Sequence, residues 1–309
     1  MLHHYLHPRQ FLLHVGLLGF GFVTANTGAA AEDLTGLKSH WNFDEARDWH
    51  NMPFPFSQPV TTADDSVGTN GLSLNDKLDP VKSWASGRQF SGIRFDSPGQ
   101  FLQSRQPLDT LKGSATLSYW IKTDTEGTAD SPPGIVGDVA GMQWGIITPE
   151  GKLAVVQNGK VLATTSAPVN DNEWHHIVIM RKADSGQVVI FLDGKPSGKG
   201  TGTPGILPGE YTGFGAIQGG GGYKGLLDQI HLFDKPIDTN AVGVLFDNHA
   251  PKAYPQDALV TRGKPSQTGS ILHLYTFDPD QDKLSVSRYG QGKFGTVKYN
   301  GDGTFTYTS

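Results

Sequence analysis

Residues 173–198 read EWHHIVIMRKADSGQVVIFLDGKPSG. Apolar residues alternate along His176–Arg181 and again along Gln187–Leu192, the period-two signature of β-strands. The polar run between them turns the chain. Asp193-Gly194 then closes the second strand with a dipeptide that tight two-residue turns favour. The stretch predicts an antiparallel hairpin and, with it, an all-β architecture. Its adjacent histidines, His175 and His176, point to opposite faces of a strand, so they do not converge on a metal.

The same pattern continues outward from the hairpin. Leu37, Ser39, Trp41 and Phe43 share one face of a first strand. Ala115, Leu117, Tyr119 and Ile121 share a face of another, with Thr116, Ser118, Trp120 and Lys122 opposite. Leu153–Gln157 and Val161–Thr165 flank Asn158-Gly159, a second hairpin signal. The Gly-rich segment 212–225 leads into a strand at Leu226–Phe233. Its run Gly219–Gly222 lacks the G-K-[ST] ending and following helix of a phosphate loop, and reads as a tight turn. One short helix is expected, Thr239–Phe246, with Asp238 as N-cap. Ala250–Pro255 reads as a linker. Beyond it, Lys293–Asn300 and Thr304–Thr308 flank Gly301-Asp302-Gly303, placing Val297 and Tyr299 against Phe305 and Tyr307 in a further hairpin.

Composition narrows the function classes. The chain has 309 residues, 40 of them Gly, as in turn-rich β proteins, and a formal charge of −5 with no basic stripe. Nucleic-acid binding is disfavoured on that balance. There is no cysteine, which excludes disulfides, thiolate metal sites and thiol catalysis. At the N-terminus, Arg9 precedes the apolar run Phe11–Val23, and small residues follow to Ala29-Ala30-Ala31. That is the layout of a secretory signal peptide. It predicts cleavage after Ala31, a secreted or cell-surface protein, and no membrane span afterwards. The other reading is an uncleaved anchor, for which the apolar run is short.

Six motifs in order carry a family resemblance over residues 33–249. HWNFDE (40–45), ADDSVGTNGLSL (63–74), GRQFSGIRFDSPGQFLQ (87–103), SATLSYWIKT (114–123), the 173–198 hairpin and GLLDQIHLFDKPID (225–238) resemble the laminin-G-like, concanavalin A-like lectin/glucanase domain. The resemblance implies a two-sheet antiparallel jelly-roll sandwich over 32–249, whose usual work is binding. A second resemblance covers 250–309. NHAPKAYPQDALVTRG, FDPDQDKLSVS and GTVKYNGDGTFTYTS look like a bacterial cadherin-like, immunoglobulin-type module. Such modules continue with further strands, so an incomplete β module of a longer protein is expected.

Asp228 is the sharpest candidate. By alternation it falls in phase with Ile230 and Leu232, on the core face, where a carboxylate is costly unless paired or metal-bound. The resemblance implies that an Asp here helps to hold a structural calcium; the alternative is a hydrogen-bonded structural Asp. Asp44, Asp65 and Asn70 are companion ligands on the same reading, or plain turn residues on the other. Asp278, Asp280 and Asp282 alternate in DPDQD, which suits either junction calcium or a polar turn. Trp120 and Trp144 are candidate ligand platforms, as are Trp49 and Trp84, because aromatic faces stack on sugar rings; packing is the competing role. Trp41 and Trp174 are expected in the core.

Fold alone does not decide between enzyme and binder. The chain has no E-x-D-x-x-E strand, the array that aims a glycosidase's carboxylates at one bond. Gln229-Ile230-His231 matches a short lyase motif without that motif's companion strands. The expectation is a secreted, non-catalytic binding or adhesion module for glycan or an extracellular protein, with calcium as a structural ion. The alternatives are the non-catalytic front of a larger extracellular carbohydrate-active enzyme and a structural surface spacer.

Overall fold

The computed structural model describes residues 34–46 and 59–247 continuously. Beyond them it describes 264–268, 270, 289–291 and 295–308, together with the backbone of the remaining strands. Trp49, Asp278, Asp280 and Asp282 lie outside the described residues. The chain divides into two compact units, Glu32–Asp247 and a second made of Met1–Ala31 with Asn248–Ser309.

The larger unit is a sandwich. Its strands are β1 (Leu37–Trp41), β2 (Thr62–Ala63), β3 (Leu72–Leu74), β4 (Trp84–Ser86), β5 (Ser91–Phe95), β6 (Leu102–Ser104) and β7 (Ala115–Lys122). There follow β8 (Pro133–Gly134), β9 (Val136–Asp138), β10 (Met142–Ile147), β11 (Leu153–Gln157), β12 (Lys160–Thr164), β13 (His175–Lys182) and β14 (Gln187–Leu192). The last are β15 (Lys195–Thr201), β16 (Gly213–Phe214), β17 (Ala216–Gln218), β18 (Gly221–Gly222) and β19 (Gly225–Phe233), before the helix α1 (Thr239–Asp247). One sheet has eight strands in the order β15-β14-β13-β7-β19-β5-β4, with β1 also paired to β19. The facing sheet has seven, in the order β8-β18-β17-β9-β10-β11-β12. A four-stranded sheet, β16-β6-β3-β2, adjoins them.

The decisive hairpin forms as its sequence requires. β13 pairs antiparallel with β14, Ile177 opposite Leu192 and Lys182 opposite Gln187, and Asp193 takes the left-handed conformation that the turn demands. Alternation sends Ile177, Ile179, Ile190, Leu117, Tyr119 and Ile121 into one core with Trp144, Leu153 and Val155 of the facing sheet. The Tyr119 hydroxyl donates to the Trp144 carbonyl at 3.1 Å, bridging the layers. The opposite side of the eight-stranded sheet is apolar too. Val178, Met180, Phe191 and Phe233 there meet Ala241, Val242 and Leu245 of α1. Asp238 caps that helix through the Ala241 amide at 2.8 Å.

Two bulges break the alternation that the sequence suggests. In β19 the register slips between Asp228 and His231, with Gln229 left-handed at φ 49°. Asp228 therefore pairs with Trp120 on the side facing away from the core, not in phase with Ile230 and Leu232. In β1 the register slips opposite Phe233, so Leu37 packs with the helix-side cluster while Trp41 enters the core. Trp174 is only half-buried.

Where β12 and β15 end their respective sheets, the two edges meet without a ladder. Gly198 and Gly200 of β15, and Gly202 after it, sit so close that a Cβ at these positions would overlap the Thr164 carbonyl, the Leu162 carbonyl and the Gln157 side chain. Ser166 and Ser197 hydrogen-bond across this seam.

In the second unit, Thr296–Tyr299 pairs with Phe305–Thr308, Val297 opposite Tyr307 and Tyr299 opposite Phe305, and Ser266–Gln267 adds a third strand. Phe11–Leu13 pairs with Ala258–Val260, and Phe22–Asn26 with Lys283–Arg288.

Candidate functional site

Asp228 is fully buried. Its Oδ2 accepts from the Gln89 amide at 2.9 Å and its Oδ1 from the Gln229 amide at 2.8 Å. The turn between β4 and β5 is shaped around it. A Cβ at Gly87 would stand 2.6 Å from Asp228 Oδ2, so glycine is required there. Three non-glycine residues near the carboxylate are left-handed: Phe43 (φ 55°), Phe90 (φ 45°) and Gln229 (φ 49°). The Ser91 hydroxyl ties this turn to the Phe43 carbonyl. Each such residue costs on the order of 1 kcal/mol, and strain of this kind collects at functional sites. Burial, and then the charge of neighbouring Asp44, push the Asp228 carboxyl well above the usual carboxylate range. The group is thereby held toward its protonated form. Among the described residues, no three His, Cys, Asp or Glu side chains converge as a metal cluster.

Gln229 links this carboxylate to a histidine pair. Its side-chain Oε1 lies 2.8 Å from His40 Nε2, and its carbonyl lies 3.0 Å from His231 Nδ1. The two imidazoles stack at 3.9 Å with their planes 11° apart. Burial lowers the pKa of both rings, His231 most, where His40 and His176 oppose a further positive charge.

Asp65 and Asn70 have other partners. Asp65 Oδ1 accepts from the amides of His40, Val67 and Gly68 and Oδ2 from that of Asn70, at 2.8–3.2 Å. Burial alone would raise its pKa; the Gly68 amide, the Ser39 hydroxyl and the remaining amides overturn that and hold it low. The Asn70 side chain accepts from the Gln106 amide and donates to the Gln106 carbonyl. Both residues fasten the loop after β2 to its neighbours. The structure thus brings Asp44 to Asp228, and spends Asp65 and Asn70 elsewhere.

The tryptophans are packed. Trp144 is fully buried in the core, which corrects its expected role as a platform. Trp120 does face away from that core, but only 5% of it is exposed. Phe246 of α1 stacks on it at 5.8 Å, His176 tilts against it at 5.0 Å, and the Arg88 guanidinium sits 4.5 Å from its ring centre. No face is left for a sugar. Trp84 is buried and donates to the Val60 carbonyl.

Three loops gather instead at one end of the sandwich. The Asp138 carboxylate accepts from the amides of Ala140 and Glu210, tying the turn after β9 to the loop before β16. Gly219 lies against Val139. Val139 and Ile206 stand exposed on this end, Ile206 at 75%. The sequence carried no periodic signal for this grouping, which arises from tertiary hydrogen bonds alone.

Residues 96–243 match the model of a laminin-G family described as the concanavalin A-like lectin/glucanases superfamily. They form a concanavalin A-like lectin/glucanase domain. No curated protein matches the chain. Among solved structures it is similar to domain 4 of AbnA, a GH43 extracellular arabinanase from Geobacillus stearothermophilus, in complex with arabinotriose. The identity is 18% and the TM-score 0.47, over 68% of this chain and 98% of that one. It is also similar to Trypanosoma rangeli sialidase in complex with sialic acid (14%, TM-score 0.49, 73% of this chain), of which it spans only 35%. A third is the binding domain of Paraclostridial Mosquitocidal Protein 1 (12%, TM-score 0.47, 86% of this chain and 71% of that one).

Proposed function

We propose that the concanavalin A-like domain is a secreted, non-catalytic binding and adhesion module that recognises glycan, with an extracellular protein as the alternative partner. The observation that carries this reading is the match of residues 96–243 to a lectin/glucanase family, on a chain without the carboxylate strand of the hydrolases. The covered state of Trp120 and Trp144 moves the ligand surface from the sheet to the loops that carry Val139 and Ile206, since loops on a rigid scaffold hold most binding residues. A glycan array and a pull-down on insoluble polysaccharides test the reading with the full chain. Retention by wild type and its loss in Ile206→Asp supports it; no glycan retained by wild type sinks it.

Calcium is proposed as the structural ion at Asp228 and Asp44, with backbone carbonyls completing the shell. Hard oxygen donors suit that ion, and a buried carboxyl with a raised pKa beside a second carboxylate is a group that gains from it. The second unit is proposed as a partial cadherin-like module with the Asp278–Asp282 segment at a junction, and residues 1–31 as a signal peptide. Protein sequencing of the exported product would show Glu32 at its start. The reading frame beyond Ser309 would reveal a catalytic domain if the chain fronts a larger enzyme.

A further inference from the structure

Arg181 is read from the sequence as the last residue of a strand, but its position matters more. It continues the inward phase of Ile177 and Ile179, and it is 1% exposed. A guanidinium keeps its charge in protein interiors, so it needs partners. No ion pair among the described residues includes it. Its partners are four backbone carbonyls. Nη1 donates to Lys112 O (3.3 Å) and Gly113 O (2.7 Å), and Nη2 donates to Thr203 O (2.9 Å) and Gly205 O (2.7 Å). The two carbonyl pairs come from distant segments, the end of the turn before β7 and the loop that follows β15.

The geometry points to a cation site inside the domain that the chain fills for itself: a cage of four carbonyls shaped for a planar guanidinium, occupied by Arg181, which fixes the 202–211 loop. The cage supplies what a hard cation takes from a protein, several oxygen dipoles of the same sign aimed at one point. It differs in being split, two acceptors to each end of a fork. Gly205 is left-handed at φ 87°, a conformation open to glycine. Lys112 O also accepts from the Leu207 amide, so the same carbonyl holds both the cation and the loop. Leu207 is thereby drawn in to 3% exposure, while its neighbour Ile206 is held out at 75%. In a chain without cysteine, this internal cation takes over the stapling role.

The test is chemical rescue of Arg181→Ala in the full chain, read by amide hydrogen exchange. Loss of charge-assisted bonds to four carbonyls predicts a fall in melting temperature of roughly 5–10 °C. Exchange should rise at residues 112–114, 203 and 205–207 and stay unchanged in β7 and β13. Methylguanidinium at about 10 mM, far below denaturing strength, should restore protection and melting temperature by mass action. Urea, of similar shape but neutral, and sodium chloride should not. Wild-type exchange in the loop, absence of rescue in a folded variant, or equal rescue by urea or salt would each overturn the assignment. Should the alanine variant not fold, Arg181→Lys serves. It keeps the charge without the fork, and loop-confined deprotection is expected; wild-type protection there overturns the proposal.

Discussion

The concanavalin A-like domain buries a guanidinium and a carboxyl, and among the described residues neither has an ion pair. Arg181 is a cation surrounded by backbone carbonyls; Asp228 is a carboxyl that accepts backbone amides. Peptide dipoles can solvate either sign, so the contrast lies in where the balancing takes place. At Arg181 the chain supplies both halves, and the site is closed. At Asp228 the amides fall short: burial and Asp44 still drive the carboxyl well above the usual range, toward the form that holds a proton. One site should ignore its medium, and the other should report it.

The largest effect expected is at the closed site. Arg181→Met leaves four carbonyls without their donor and should cost about 2–4 kcal/mol, because buried acceptors left unpaired lose their hydrogen bonds without regaining water. Chemical denaturation at pH 5 and pH 8, with calcium and with chelator, should give the same loss. A loss that varies with calcium would break the contrast.

Asp228→Asn should do the reverse. Because the folded carboxyl has a raised pKa, its contribution is complete below the unfolded value near 3.8 and fades as pH rises through the folded one. In chelator, wild type should therefore lose melting temperature relative to Asp228→Asn between pH 5 and pH 8, and calcium should recover the difference. The asparagine variant keeps the shape of the protonated acid, so it should lack this component of the pH dependence and the response to calcium. A wild type equally indifferent to calcium would remove the ion from the site.

The histidine pair adds an opposite slope. His40 and His231 are held neutral, so their contribution is complete above the unfolded value of 6.5 and is lost as pH falls toward their lowered values. His231→Asn should flatten the acid limb of the melting curve, read from thermal melts as pH falls below 6.5. His176, pushed down by burial to about 3, adds to the same acid limb, because its contribution too is lost as pH falls from 6.5 toward that value.

The smallest effect belongs to His175, whose ring nitrogens lie 2.9 Å from Asp193 and 3.0 Å from Asp171. The hydrogen bond that the ring donates to Asp193 raises its pKa against burial, so its stabilisation is complete below 6.5 and is lost as pH rises through the raised value. Water screens the two carboxylates, and His175→Ala should change stability by under about 0.5 kcal/mol.

Much of this was legible before any coordinates. The 173–198 hairpin, β11, β19, α1 and its Asp238 cap follow from period and turn chemistry, which act locally. The site was legible only in part. Asp228 could be singled out as a carboxylate in an apolar strand, yet its face was misread, because one left-handed residue at Gln229 reverses the parity of all that precedes it. Trp120 was correctly set opposite Leu117 and Tyr119, but nothing local says that Phe246, 126 residues later, covers it. Arg181 looks like any basic strand end until residues 112–113 and 203–205 are brought round it. Asp44 sits in the opening motif, whereas Asp65 and Asn70 resemble ligands only because turn residues and calcium ligands are the same residue types.

The glycine seam between β12 and β15 bears on resistance to aggregation. An open strand edge is a template on which other chains can grow, and a sandwich ordinarily has edges to guard. Here the two sheets place an edge of each against the other, and β15 adds Lys195, Pro196 and Lys199 along its length. A single methyl group at Gly198 or Gly200 would wedge the seam apart and bare both edges together. The damage expected from such a change is fibril growth in a protein whose two sheets are otherwise intact.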